Sequence, residues 1–312
     1  MSNIKVLKYN KNILPQILKF IKKSKMTKRT KNTWIKNNMT SVNVKDGNKI
    51  IGVLPFEKIH LKVNNKFEKV LWISALYLLP KYRNQKLGTK ILKFSEKIFV
   101  KKFKYIFVMR EDSGSKAHRW YKKNGFKIVS RILSFEKKIS GSNIIKPNYE
   151  LLGTFNSFKK KGKILNKTFE NNNKSYNGYK KRDSSFWFNL KNHYYNQEYK
   201  FKILLLKESK NRYHYALVGK TKMRDNSLRL EIFEFCSNNL SYKKLLLNSI
   251  IHLAKKENCQ KIRIKISILD KIKKFFKKER FNKHWEFNIL FKKKKKKNIS
   301  LNRYRFFQTE AI

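Results

Sequence analysis

The chain of 312 residues has room for two domains of ordinary size, and its 40% hydrophobic and 14% aromatic content excludes wholesale disorder in spite of 31% charged residues. A formal charge of +57 invites a nucleic-acid or membrane-surface reading, yet only 13 of the 77 basic residues are arginine and the lysines run along the whole chain. Lysine accompanied by abundant Asn, Ile, Phe and Tyr is what an AT-rich coding sequence produces through codon usage, whereas nucleic-acid readers favour arginine and concentrate charge on one face.

The charge is therefore read as background, and nucleic acid is not favoured as a partner. Its densest stretches, Lys292–Lys297 and Lys159, Lys160, Lys161 and Lys163, read as a solvated tail and linker. Cys236 and Cys259 lie outside CxxC spacing with no histidine at zinc-ligand distance in sequence, so neither a zinc site nor a disulfide framework is expected, and a reducing cytoplasm is. The longest apolar runs, 76–79 and 203–206, fall far short of a membrane span, and MSNIKVLKYN lacks an apolar signal core. No membrane role is expected.

Apolar residues at 13, 14, 17, 18, 20 and 21 predict an amphipathic opening helix, with Pro15 tolerated in its first turn. Residues 40–57 and 58–79 are β-rich, with Asp46-Gly47 and Asn64-Asn65 supplying hairpin turns. After Pro80 comes a basic turn around one glycine, then a helix over 89–100 with Ile91, Leu92, Phe94, Ile98 and Phe99 along one side. Residues 104–110 are a short, unbroken apolar strand, completing a βαβ unit. A second helix starts behind Ser113 or Ser115, carries Ala117, Trp120 and Tyr121 on one stripe, and stops at Asn124-Gly125; 126–138 is a closing strand.

Residues 139–200 read as a connecting region in which 149–155 and 184–190 pack. From 201 the pattern runs strand, strand, strand, helix, strand, helix, strand. Residues 228–291 thereby repeat the element order of 71–138, which argues for internal duplication.

The chemistry-bearing residues are Leu78-Leu79-Pro80, the turn Arg83-Asn84-Gln85-Lys86-Leu87-Gly88, and Ala117, Tyr121 and Gly125-Phe126. Together they resemble the core of the GCN5-related N-acetyltransferase (GNAT) family: an apolar-x-Pro strand end, a turn of the form Arg/Gln-x-x-Gly-x-Gly/Ala, then Ala-x-x-x-Tyr-x-x-x-Gly-Phe. The last motif matches at every defined position. The turn departs from the pattern, because Lys86 stands where the family has its first glycine and Asn84 where another is common.

The resemblance implies an α/β (α+β) fold with a mixed, mostly antiparallel GNAT-type sheet flanked by helices and duplicated. The expected domains are an acetyltransferase domain at 1–140, a connecting region at 141–200, and a degenerate copy at 201–312 with a basic tail. It implies acetyl-CoA as co-substrate, its pyrophosphate on the amides of Asn84, Gln85, Lys86, Leu87, Gly88 and Thr89 beside Arg83, and its pantetheine arm on the strand edge at Leu76, Tyr77 and Leu78. A helix start suits a pyrophosphate, and an extended amide-bearing arm suits a free strand edge. Tyr121 matches the family's general acid: a phenol of ordinary pKa ~10 stays protonated at neutral pH and donates to a departing thiolate of ~8.5.

No carboxylate stands on the central strand 71–79, which leaves Glu57, His60, Ser74, Tyr77, Glu111 and Asp112 as candidates for a base or a water holder. The turn of the second copy, 236–243, lacks glycine and arginine, so cofactor binding there is not expected; Glu231 and Glu234, alternating on its strand, could face a cleft between the halves but read rather as a solvated face.

The expected reaction is acetyl transfer to a primary amine of a small molecule, and an anionic acceptor such as a nucleotide-linked amino sugar would suit a positive cleft. Two rivals stay open. Tandem copies of this fold also occur in aminoacyl-tRNA-dependent acyl transferases, and a protein of this kind can hold an acyl-CoA or nucleic acid without turnover.

Overall fold

The alternating segments of the first half fold as strands because each has one face to bury and turn residues to end it. In the computed structural model, residues 4–293 are described except 24–39, 74–75, 100–101, 111–113, 141–147, 154, 184–185, 188–189, 191–198, 224 and 268–269. Elements in chain order are β1 (Ile4–Lys8), α1 (Leu14–Lys23), β2 (Thr40–Asp46), β3 (Lys49–Val63), β4 (Lys66–Ile73), β5 (Tyr77–Leu78), α2 (Leu87–Phe99), β6 (Tyr105–Arg110), α3 (Lys116–Lys123) and β7 (Lys127–Lys138). Then come β8 (Glu150–Leu152), α4 (Phe155–Asn173), β9 (Lys202–Ser209), β10 (Arg212–Lys222), β11 (Leu228–Cys236), α5 (Leu240–Lys256), β12 (Lys261–Ser267), α6 (Ile272–Lys278) and β13 (Asn282–Lys293).

Local signals account for the boundaries. The β3–β4 turn has Asn64 and Asn65 at φ +50° and +62°, the left-handed pair that a tight hairpin requires. Ser115 caps α3 by accepting from His118 N–H at 3.1 Å. Gly125, at φ +84°, ends that helix so that Phe126 N–H reaches back to the Tyr121 carbonyl at 3.1 Å.

Two compact units divide the chain, and their segments interleave. Unit 1 takes residues 1–61, 67–129 and 288–299; unit 2 takes 62–66, 130–287 and 300–312. The segment after α3, which continues the N-terminal pattern, pairs in unit 2 as Ile132–Lys138 of β7 against β12. The last strand of the chain pairs in unit 1, where Asn288–Lys293 of β13 run antiparallel to β6.

The unit 1 sheet runs β1-β2-β3-β4-β6-β13, with β5 held on β3 at Gly52 and Val53. Only the β4–β6 pair is parallel among its recorded pairings. One face is packed by α2 and α3, with Leu71, Ile73, Ile91, Leu92, Val108, Tyr121, Phe126 and Leu290 in one cluster; α1 covers the other through Ile17, Phe20 and Ile21 against Ile50 and Val53.

The unit 2 sheet runs β7-β12-β11-β10-β9-β8 and is again antiparallel except for β11–β12. Helices α5 and α6 pack one face through Leu246, Ile250, Phe275 and Phe276, and α4 packs the other through Phe158, Leu165 and Phe169. The mixed, mostly antiparallel α/β class expected from the sequence is the class observed. Lys160, Lys161 and Lys163 are on α4 and not in a linker. Of the basic run 292–297 only Lys292 and Lys293 are among the described residues, both on β13.

Glu231 and Glu234 are not a solvated face. An irregularity in the β10–β11 register pairs Val218 with Ile232 but Leu217 with Glu234, so both carboxylates are carried to the same side of the sheet and buried. Glu231 accepts from Arg263 Nε at 2.9 Å and meets Arg229 Nη2 at 2.6 Å; Glu234 meets Arg182 Nη2 at 2.7 Å and accepts from the Tyr215 hydroxyl at 2.6 Å.

Candidate active site

The turn from β5 to α2 forms the site, and its shape follows from three backbone choices. Asn84 and Lys86 adopt φ +66° and +57°, the left-handed conformation that glycine takes without penalty and that costs other residues ~1 to 2 kcal/mol. The chain thus keeps a glycine-like path although it lacks the glycines. Lys90 N–H opens the helical ladder by donating to the Lys86 carbonyl at 3.1 Å, which leaves the N–H groups of Leu87, Gly88 and Thr89 ahead of it. The first turn contains no acidic residue. It is an anion-accepting helix start.

Side chains brace the turn from both sides. Arg83 Nε donates to the Leu78 carbonyl at 3.1 Å, Gln85 Nε2 to the Lys81 carbonyl at 3.1 Å, and the Tyr82 hydroxyl to Asp46 Oδ2 at 2.6 Å. A Cβ on Gly88 would stand 3.1 Å from Leu76 Cδ2 and 3.4 Å from Trp120 Cζ2, so the missing side chain lets α3 close on the start of α2. Trp120 Nε1 donates to Thr89 Oγ1 at 3.3 Å across that contact. The four residues Arg83, Asn84, Gln85 and Lys86 are exposed, Leu87 is buried, and Gly88 and Thr89 are half-buried.

Among the described residues, β4 and β6 pair in parallel over Leu71–Ile73 and Ile106–Val108, and β6 continues to Arg110. Strand β5 lies off the main sheet path and pairs on one side, with β3, where Gly52 admits the Leu78 side chain and the Tyr77 carbonyl. Among the described residues its other edge has no strand partner. Leu76, Tyr77 and Leu78, predicted to hold an extended arm, line that edge.

Tyr121 is 1% exposed, on the face of α3 that packs against the unit 1 core, with its ring 4.7 Å from Trp120 and 5.1 Å from Phe126, both edge-on. Ala117, which the sequence stripe puts beside it, is exposed, and His118 takes the buried position instead. Of the base candidates, Glu57 is half-buried, His60 exposed and Tyr77 half-buried. Ser74, Glu111, Asp112 and the alternative cap Ser113 lie outside the described residues. No group of metal-ligating side chains occurs among the described residues.

Sequence reasoning gave this site nothing from the C-terminal half, yet β13 supplies Leu290 to its core, and Lys292 Nζ meets Glu96 Oε1 of α2 at 2.6 Å. The alternation of 284–291 announces a strand but not the sheet that receives it.

The matching helix start in unit 2 is closed. Asn239 Oδ1 accepts from Ser241 N–H at 2.9 Å and Tyr242 N–H at 3.4 Å, and its Nδ2 donates to Glu208 Oε1 at 3.1 Å. The Asn239 side chain thus takes two of the N–H groups that an anion would need. Unit 2 also has an open groove of about 350 Å³, lined by Thr168, Asn172, Lys210, Arg212 and Tyr213 among others, which has no part in the turn site.

Residues 11–126 match the acetyltransferase (GNAT) family. Across 93% of this chain and 72% of the other, the fold is similar to a GCN5-related N-acetyltransferase from Anabaena variabilis, with 14% identity and a TM-score of 0.68. A probable N-acyltransferase from Enterococcus faecalis aligns over 94% of this chain and 73% of its own, with 10% identity and a TM-score of 0.71. A GCN5-related N-acetyltransferase from Kribbella flavida aligns over 94% and 71%, with 9% identity and a TM-score of 0.64. No curated protein matches the chain in sequence.

Proposed function

We propose that unit 1 transfers an acetyl group from acetyl-CoA to a primary amine. The observation that carries this reading is the turn at 83–89, which holds left-handed backbone at Asn84 and Lys86 without glycine and so presents the amides of a helix start to a pyrophosphate. Leu76, Tyr77 and Leu78 offer the adjoining strand edge to the pantetheine amides.

Acetyl-CoA supplies an activated thioester. As the amine nitrogen bonds to the carbonyl carbon and the carbon–sulfur bond breaks, Tyr121 gives its phenolic proton to the departing sulfur, and the amine loses its own proton to solvent or to a base near the acceptor. The helix start of unit 2 is not read as a CoA site, since Asn239 already caps its Ser241 and Tyr242 N–H groups.

Thermal melting with acetyl-CoA, followed by a thiol-release screen over amines, tests the reading. Tyr121→Phe should keep the fold and the CoA affinity but lower turnover ~100-fold or more. Turnover equal to wild type would remove Tyr121 from the reaction, and no response of the wild type to any acyl-CoA would remove acyl transfer itself.

A further inference from the structure

Asn288 sits opposite Arg110, at the C-terminal end of β6. It is 1% exposed, and among the described residues neither its Oδ1 nor its Nδ2 has a hydrogen-bond partner. Buried amides are seldom left so, because each unpaired polar atom forfeits its hydration without return. Strand alternation puts Asn288 on the same face as Leu290, two residues on, and Leu290 packs in the cluster that holds Val108 and Tyr121. An unpaired donor and acceptor therefore lie on the Tyr121 side of the sheet, near the C-terminal end of β6.

We infer that Asn288 is a donor-binding residue of the acyl-transfer site, its side-chain amide pairing with an amide of the acyl-CoA arm. A carboxamide offers one acceptor and two donors, which is the complement of a secondary amide with its own N–H and carbonyl. A leucine or a serine at this strand position would pack or bond locally; an asparagine with both ends open fits a ligand that carries both kinds of group. The site would then be assembled from both ends of the chain, with the turn and Tyr121 from the first 126 residues and Asn288 from the last strand.

This inference rests on the acyl-transfer reading, and its test separates the two. Acetyl-CoA affinity by calorimetry and turnover by thiol release are measured on the full chain, as wild type, Asn288→Leu and Asn288→Ala, with melting followed in parallel. The expected result is that Asn288→Leu melts no lower than wild type, because two unpaired polar atoms are gone, while the dissociation constant for acetyl-CoA rises roughly tenfold, as the loss of one or two buried hydrogen bonds requires. Asn288→Ala gives the same loss of affinity should leucine overpack the strand. Wild-type affinity and turnover in both variants would overturn the inference and mean that the amide serves at most a trapped water. A wild type that neither binds acetyl-CoA nor releases thiol overturns the acyl-transfer reading, and this inference with it.

Discussion

At the scale of single residues, Lys86 shows how a phosphate-type turn survives the loss of its glycine: φ +57° is kept by the fold around it and not by the residue. Replacing it removes a side-chain penalty without changing the path, so Lys86→Gly should raise the stability of unit 1 by ~1 kcal/mol, less the entropy that glycine adds to the unfolded chain. Chemical denaturation checks this, and a measurable loss of stability would mean that the lysine side chain holds the turn. His214 sets a second expectation. Its Nε2 lies 2.9 Å from Glu208 Oε2, its ring stacks on Tyr242, and its Nδ1 is buried without a partner. Burial lowers the imidazole below its ordinary 6.5, outweighing the upward pull of Glu208, and Arg212 adds to the lowering. Glu208 itself is also lowered from 4.5, since its bond to His214 and the charge of Arg212 outweigh its desolvation. A base held low in the folded state takes its proton later than the unfolded chain does, so stability is full above pH 6.5 and falls as the pH drops through it; the depressed carboxylate continues the fall below 4.5. Melting temperatures from pH 8 to 5 should decline in wild type and decline less in His214→Gln.

At the scale of elements, the N-terminal sheet depends on a strand encoded far from it. A chain ending at residue 281 would lack Leu290 from the core, leave β6 with an unpaired edge and strip Glu96 of Lys292. Unit 1 should then melt lower and aggregate, although every residue matched to the acetyltransferase family is present. Light scattering and a melt followed by Trp72 or Trp120 fluorescence would show this; an unchanged N-terminal transition would refute it. The same strand marks the limit of what the sequence tells. The hairpins at 46–47 and 64–65, the βαβ unit, the Ser115 cap and the Gly125 stop were legible because each is written in neighbouring residues. So was the turn at 83–89. The destination of β7 and β13 was not, because an alternating strand reads alike whichever sheet it joins. Asn288 was hidden for the same reason, and the burial of Glu231 and Glu234 depended on a register irregularity that periodicity does not reveal.

At the scale of the whole molecule, +57 of formal charge is a load that the fold must carry. Self-repulsion of like charges is screened over roughly 10 Å at 0.1 M salt, so raising the ionic strength from about 0.02 M to 0.2 M should raise the melting temperature. Binding to DNA or RNA should weaken steeply over the same range if the charge is background. Sequence-selective RNA binding that persists at the upper end would contradict that view. The interleaved strands have a further consequence, in time and not in space. During synthesis β6 leaves the ribosome long before β13, and at about 5 to 20 residues per second the interval from Arg110 to Asn288 lasts roughly 10 to 40 s. For that interval the nascent N-terminal sheet presents an open edge at β6, and a chain stalled or clipped before β13 is released with that edge unpaired.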